Sequence, residues 1–292
     1  GISGGTTGGS YKPADVTYDV SKAGSYGTLY VKSASGEYLY VPDSTKVNAL
    51  TAGEAQTESF TITVSDGVAA AVTKTYTINL TGTNDTPTVA AALTSAKDEG
   101  DAAYALSLVQ GAGDLDDGEA ATLAVVGNSV SYTVNGVTTG NAGADLPVGI
   151  TRTGNTLSVD PTDAAYNHLA VGDSTTIVVS YQIEDAQGAT VAQTQTITIT
   201  GTNDTPTQIH LSNAALTEIT GANATTASVV DVGTLSTDDV DDGDSFTYDI
   251  IGGAQQFYFQ IASVAGVPTL QLKAGVPLNA EFLSAYSVVV RS

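Results

Sequence analysis

Two short acidic runs carry the most chemistry in this chain: Asp114-Leu115-Asp116-Asp117-Gly118-Glu119 and Asp239-Val240-Asp241-Asp242-Gly243-Asp244. Each follows an Asn-Asp-Thr-Pro segment, Asn84–Pro87 and Asn203–Pro206. Carboxylates and amide carbonyls are hard-oxygen donors, and calcium gathers about six to eight such oxygens at roughly 2.3–2.6 Å. A lone Asp-x-Asp is a weak signal, but two Asp-x-Asp-Asp-Gly runs, each downstream of the same kind of linker, are stronger. They are not EF-hand loops, because the Gly falls fifth instead of sixth and no Glu stands twelfth. A plainer role competes with metal binding. Asn and Asp in such segments also cap local backbone N–H groups in turns, and Asp66-Gly67 and Asp185-Ala186-Gln187-Gly188 have ordinary hairpin-turn compositions.

Charge supports the cation reading. The chain has 292 residues with 31 acids, 9 bases and a formal charge of −22. The acids are 23 Asp and 8 Glu, and Asp belongs in turns and oxygen-ligand sites more than on solvated helix faces. Residues 98–292 hold 23 acids and 3 bases, a net −20, whereas residues 1–97 hold 8 and 6. A field of that size destabilises compact domains unless counterions neutralise it. The same balance excludes nucleic acid as a partner and disfavours an anionic membrane surface. No apolar run approaches the roughly 20 residues of a spanning helix, so membrane insertion is not expected. Cysteine is absent, which removes disulfides and thiolate chemistry.

Enzymatic readings fare poorly. The two histidines, His168 and His210, fall in different expected domains, and His168 reads as a turn residue. No nucleophile elbow or phosphate-cradling Gly-rich loop is present. The many acids leave room for a glycosidase-type carboxylate pair, but they recur at repeating positions, as structural ligands would. Tyr26, Tyr30, Tyr38 and Tyr40 read as cross-strand pairs more than as a sugar-stacking platform, which would usually include Trp; the chain has none.

The elements that must position the acids come from an internal repeat. Thr77–Thr88 returns as Thr196–Thr207 with ten of twelve residues identical, at an offset of 119. The offset holds upstream without a gap: Pro42 maps to Pro161, Leu50 to Leu169, Gly53 to Gly172 and Asp66 to Asp185. Phe60–Val64 and Val179–Ile183 both alternate with period two, which places one strand face inward. Proline ends strand pairing, so the boundaries fall at the Asn-Asp-Thr-Pro segments. The expected organisation is a flexible Gly-rich linker at 1–10, then sandwiches at 11–86, 87–205 and 206–292. The stretch 102–109 reads as strand in preference to helix. Short connections between sandwiches predict an end-to-end row.

The residues carry a family resemblance. Gly27-Thr28-Leu29, Leu50, Gly53-Glu54, Phe60, Val64-Ser65-Asp66-Gly67 and Gly82-Thr83-Asn84-Asp85 resemble a VCBS repeat. Leu211-Ser212-Asn213, Glu218, Val232-Gly233-Thr234-Leu235, Asp239–Tyr248 and Leu278-Asn279-Ala280-Glu281 resemble a bacterial cadherin-like repeat. The middle segment mixes the two. The resemblance implies an all-β fold of tandem Ig-like or cadherin-like antiparallel sandwiches arranged end to end. It also implies calcium at the joints and a place in long secreted surface adhesins of Gram-negative bacteria, often exported by type I secretion. Carried over, it assigns Asn84, Asp85, Asp114, Asp116 and Asp66 to the first joint, and Asn203, Asp204, Asp239, Asp241, Asp185 and Glu99 to the second. Glu218 and Glu281 would serve a third, incomplete site. Position 279 is Asn where the motif prefers Asp, the middle segment lacks an equivalent of Leu278–Glu281, and the first has no early Glu.

The function expected is therefore a calcium-stiffened extender in a bacterial surface adhesin, not an enzyme, with neighbouring repeats as its partners. The alternatives are a subunit of a self-assembling filament or surface layer completed by strand addition between copies, and a carbohydrate-binding module or spacer of a secreted enzyme, with surface glycans as partners. Val288–Ser292 reads as mid-strand, so a third sandwich lacking its last strand is expected.

Overall fold

The computed structural model describes residues 5–11, 17–140, 146–219, 225–281 and 283–292. Gly1–Gly4 of the expected linker lie outside them. The fold is all-β and built of antiparallel sheets packed as sandwiches, with one short helix. The chain divides into two compact units. One comprises Gly1–Ser95, Ala105–Val159 and Ile177–Ile197; the other comprises Ala96–Tyr104, Asp160–Thr176 and Thr198–Ser292. Residues of the expected middle sandwich fall in both.

In the first unit, β1 (Thr6–Tyr11), β2 (Tyr18–Ala23), β3 (Gly27–Val31) and β4 (Tyr38–Pro42) form one sheet in that order. The segment whose composition reads as linker thus runs largely as a strand beside β2. Helix α1 (Ser44–Asn48) starts at Asp43, whose carboxylate accepts the Thr45 and Lys46 N–H groups. Strands β5 (Ala55–Val64) and β6 (Val72–Thr81) form a hairpin paired from Ala55↔Thr81 to Val64↔Val72 without a bulge. Period-two alternation turns Phe60, Ile62 and Ile78 inward, where they meet Val20, Leu29, Val31 and Tyr40 of the four-stranded sheet. A buried carboxylate sits beside this core. Glu58 accepts the Tyr26 N–H at 2.5 Å and the Tyr40 hydroxyl at 2.8 Å, so both of its oxygens have donors.

The next strands are β7 (Thr88–Val89), β8 (Leu93–Asp98), β9 (Tyr104–Ser107), β10 (Ala112–Gly113), β11 (Ala124–Val125), β12 (Ser131–Val134), β13 (Val137–Gly140), β14 (Ile150–Thr153), β15 (Thr156–Val159), β16 (Ser174–Glu184) and β17 (Thr190–Thr200). The larger sheet runs β13-β12-β16-β17-β8 with β11 on β16, and a second runs β14-β15-β9. β9 lies in the stretch read as strand. The β12–β13 turn puts Asn135 at φ 48° and Gly136 at φ 78°, the left-handed pair that a tight hairpin requires. Ile177, Val179, Tyr181 and Ile183 are buried along β16, alternating with outward residues. The buried Tyr181 hydroxyl donates to the Leu108 carbonyl at 2.6 Å, which ties β16 to the segment after β9.

The second unit adds β18 (Gln208–Leu211), β19 (Val230–Asp238), β20 (Asp249–Gly252), β21 (Phe259–Val264), β22 (Val267–Leu272) and β23 (Val289–Arg291). One sheet runs β18-β19-β22-β21, and β20 pairs β23. Val232, Leu235, Phe259, Leu270, Leu272, Val276 and Leu278 form the core between them, with Ile250 and Val290 packed against it.

Candidate metal centres

Asn84 and Asp85 leave the β5–β6 hairpin through Gly82. A Cβ at Gly82 would stand 2.2 Å from the Thr51 carbonyl oxygen and 2.4 Å from that of Leu50. No side chain fits such a backbone-to-backbone approach, which is the physical reason for glycine at that place. Gly201 repeats the arrangement against the carbonyls of Leu169 and Ala170, at 2.2 and 2.4 Å. The segments that follow are fastened in the same way. The Asp85 N–H donates to Asp116 Oδ2 at 2.9 Å, and the Asp204 N–H donates to Asp241 Oδ2 at 2.9 Å. The Asp117 N–H reaches the Ala49 carbonyl and the Asp242 N–H the His168 carbonyl, both at 3.0 Å. Ala49 and His168 are 119 residues apart, so the repeat is kept down to single hydrogen bonds. His168 is a turn residue acting through its carbonyl, and the His210 ring bonds Asp238 at 2.6 Å.

The first cluster gathers Asn84, Asp85, Asp114, Asp116, Glu119 and Asp185. Ligand atoms of Asp114, Glu119 and Asp185 lie within 4.8 Å of one another. Asn84 Nδ2 donates to Asp185 Oδ2 at 2.9 Å, and Asp185 Oδ1 accepts the Gln187 and Ala189 N–H groups. Burial opposes the charge on Asp185, but the bonds from Asn84 and the loop amides outweigh it and hold its carboxyl below the usual range. Glu119 goes the other way. Burial pushes its carboxyl up; Asp116, Asp185 and Asp114 add to the rise, against a hydrogen bond from Gln187. Gly118 at φ 84° makes the turn that brings Glu119 inward.

The second cluster gathers Glu99, Asp204 and Asp241, whose ligand atoms again lie within 4.8 Å. Asp239, Asp241 and Asp244 form an adjoining group on the same criterion, with Asp244 exposed. Glu99 Oε1 accepts the Thr202 N–H at 2.5 Å, and Asn203 Nδ2 donates to the Asp204 carbonyl.

What these places share is unused acceptors. Asn84 Oδ1, Asp114 Oδ2, Asp116 Oδ1 and Glu119 Oε2 in the first cluster are buried without a donor. So are Glu99 Oε2, Asp239 Oδ2 and Asp241 Oδ1 in the second. Every buried side-chain oxygen found without a partner among the described residues is in one of the two. Buried polar groups are ordinarily paired, and buried charges are paired or hold metals. None of the ion pairs given for the described residues brings a Lys, Arg or His to a cluster oxygen. The donor set, carboxylates with an amide oxygen, suits a hard divalent cation. Glu58, whose oxygens are both satisfied, shows what a buried carboxylate without metal duty looks like in this chain.

The structure corrects the assignment at three places. Asp185 stands in the first cluster, not the second, because the hairpin turn lies at the opposite end of β17 from Thr200 and the linker. By the same topology Asp66 is in the β5–β6 turn, away from Asn84, where it caps the Val68 and Ala69 N–H groups. Glu119 joins the first cluster though the motif did not mark it; its burial, 5% exposed, is the signal, and the sequence does not print burial. Glu218 and Glu281 are exposed; Glu218 accepts the Ala280 N–H, and the Glu281 N–H donates to Asn279 Oδ1.

No protein-family model matches the sequence, and no curated protein matches it. Solved structures do. The chain is similar to the protocadherin gamma B4 extracellular domain, at 16% identity over 98% of this chain and 43% of that one, with a TM-score of 0.48. It is similar to cadherin domains 1–4 of protocadherin gamma B7, at 17% identity over 92% of this chain and 61% of that one, TM-score 0.46. It is also similar to mouse protocadherin-24 EC1–3, at 19% identity over 95% and 83%, TM-score 0.41. The chain spans less than two thirds of the first two structures.

Proposed function

We propose that this chain is a calcium-stiffened extender of a secreted bacterial surface adhesin, made of sandwiches at 11–86, 87–205 and 206–292 with cations at the joints between them. The observation that carries the reading is the set of donorless buried oxygens, four in the first cluster and three in the second. The sequence motifs, through their resemblance to VCBS and bacterial cadherin-like repeats, supply the bacterial surface setting; the clusters supply the metal. Asn84, Asp114, Asp116, Glu119 and Asp185 would hold one cation, and Glu99, Asp204, Asp239 and Asp241 another. Bound calcium neutralises carboxylates that otherwise repel, and it ties linker to loop.

The test is a melting curve with a shape measurement beside it. Extracellular calcium modules bind at roughly 10⁻⁴–10⁻³ M, so millimolar calcium raises the melting temperature and a chelator lowers it. Solution scattering lengthens and stiffens as calcium is added. A melting curve indifferent to chelator refutes the cation reading, and a particle that becomes more compact in calcium refutes the extender.

A further inference from the structure

We propose that the outer edge of β6 is a strand-acceptor site, which takes an extended chain of β8's type, presented by another repeat of this kind and running parallel to β6. The argument comes from the molecule's two copies of one hairpin. At the 119 offset β5–β6 corresponds to β16–β17: Ala55 to Ser174, Val64 to Ile183, Val72 to Val191 and Thr81 to Thr200. In the second copy β17 is flanked by β8. Ala91, just before β8, meets Gln193 at one end, and the Glu99 N–H donates to the Thr200 carbonyl at the other. The two strands therefore run in the same direction. In the first copy β5 and β6 make a two-stranded sheet, and no described strand pairs β6 on its far side.

The backbone of β6 is presented for pairing. The Gly82 N–H donates to the Glu54 carbonyl and the Gly53 N–H to the Gly82 carbonyl, so residue 82 faces β5. Alternation without a bulge then turns the N–H and C=O of Thr81, Asn79, Thr77 and Thr75 to the open edge. Their counterparts on β17, Thr200 included, are those that face β8. Edge strands are ordinarily blunted by charge, proline or a bulge. β6 has no proline and no bulge, and Lys74 is its one charge.

Burial points to the same occupant. Where β8 lies alongside, Gln195, Ile197 and Ile199 of β17 are 2%, 0% and 0% exposed. The matching Tyr76, Ile78 and Leu80 of β6 are only half-buried. A strand on that edge closes the core as β8 closes its counterpart, with main-chain bonds supplying affinity and alternate side chains supplying fit. The inference does not rest on bound calcium, and its test reads no metal.

The probe is a synthetic peptide of residues 91–99 added to the ¹⁵N-labelled full chain. The amides of Thr75, Thr77, Asn79 and Thr81 shift. The Glu99 bond sets the register, so N–H groups of Ser95 and Lys97 face the acceptor. N-methylation at those two residues abolishes the shifts, whereas N-methylation at Thr94 and Ala96 leaves them. Thr77→Pro, which removes one outward donor and no β5–β6 bond, also abolishes them. The methylated peptides test the idea on the unaltered chain should that variant not fold. No shifts, equal shifts with both methylated peptides, or shifts confined to residues 194–200 would each overturn the proposal.

Discussion

Replacing Glu119 by Gln separates metal binding from turn capping, because the two roles give opposite signs. The amide is isosteric and keeps one oxygen, but it removes a charge that burial and three neighbouring aspartates oppose. Without metal the variant therefore melts above wild type. With calcium it loses one of the four donorless oxygens' charges in the first cluster, and the order reverses. For a site of Kd ~10⁻⁴–10⁻³ M, 10 mM calcium is about 10–100 Kd, worth about 1.4–2.7 kcal/mol per ion by mass action. At roughly 2–4 °C per kcal/mol for a unit of this size, one ion raises Tm by about 3–11 °C. Scanning calorimetry of both proteins, in chelator and in 10 mM calcium, shows the curves crossing. Proton linkage sharpens the test. The Glu119 carboxyl titrates higher in the folded chain than unfolded, so its contribution to metal-free stability falls as pH rises from about 4.3, the ordinary glutamate value, through the raised one. The chelator gap between variant and wild type accordingly opens toward neutral pH. Asp185, held low, acts oppositely and is present in both proteins, so it cancels in the difference. A variant that melts below wild type in chelator, or gains as much from calcium, refutes the assignment of Glu119.

Two further outcomes follow from the geometry. Gly82→Ala forces a Cβ against the Thr51 and Leu50 carbonyls and costs about 1–3 kcal/mol in urea unfolding, as overpacking does; unchanged stability would mean the approach is not close. Asp66→Ala leaves the calcium-induced melting shift unchanged, because its carboxylate serves the Val68 and Ala69 amides in an exposed turn; a reduced shift would return Asp66 to the metal site.

The sequence made the hairpins legible because they repeat. Period-two alternation at a gapless offset of 119 locates β5–β6 and β16–β17 together, and the Asn-Asp-Thr-Pro segments mark where each ends. Asn84, Asp85, Asp114 and Asp116 were readable as one group because they share two short motifs. Asp185 was not, since it reaches Asn84 from 101 residues away and only the folded hairpin says which end its turn occupies. Glu119 was hidden for another reason. It is one acid among several in a run, and what singles it out is the left-handed Gly118 that turns it inward.

The contact of Gly82 with the Thr51 and Leu50 carbonyls, repeated at Gly201, bears on how fast a joint can exchange its ion. The chain's exit from each hairpin is held by main-chain packing alone, so an arriving cation has only carboxylates to arrange. Preorganisation of this kind lowers the ordering cost of binding. Rotamer changes run in picoseconds to nanoseconds, whereas collective backbone rearrangements take microseconds to milliseconds. Loading and emptying a joint then belongs to the faster regime, and a segment stripped of calcium regains it without a refolding step.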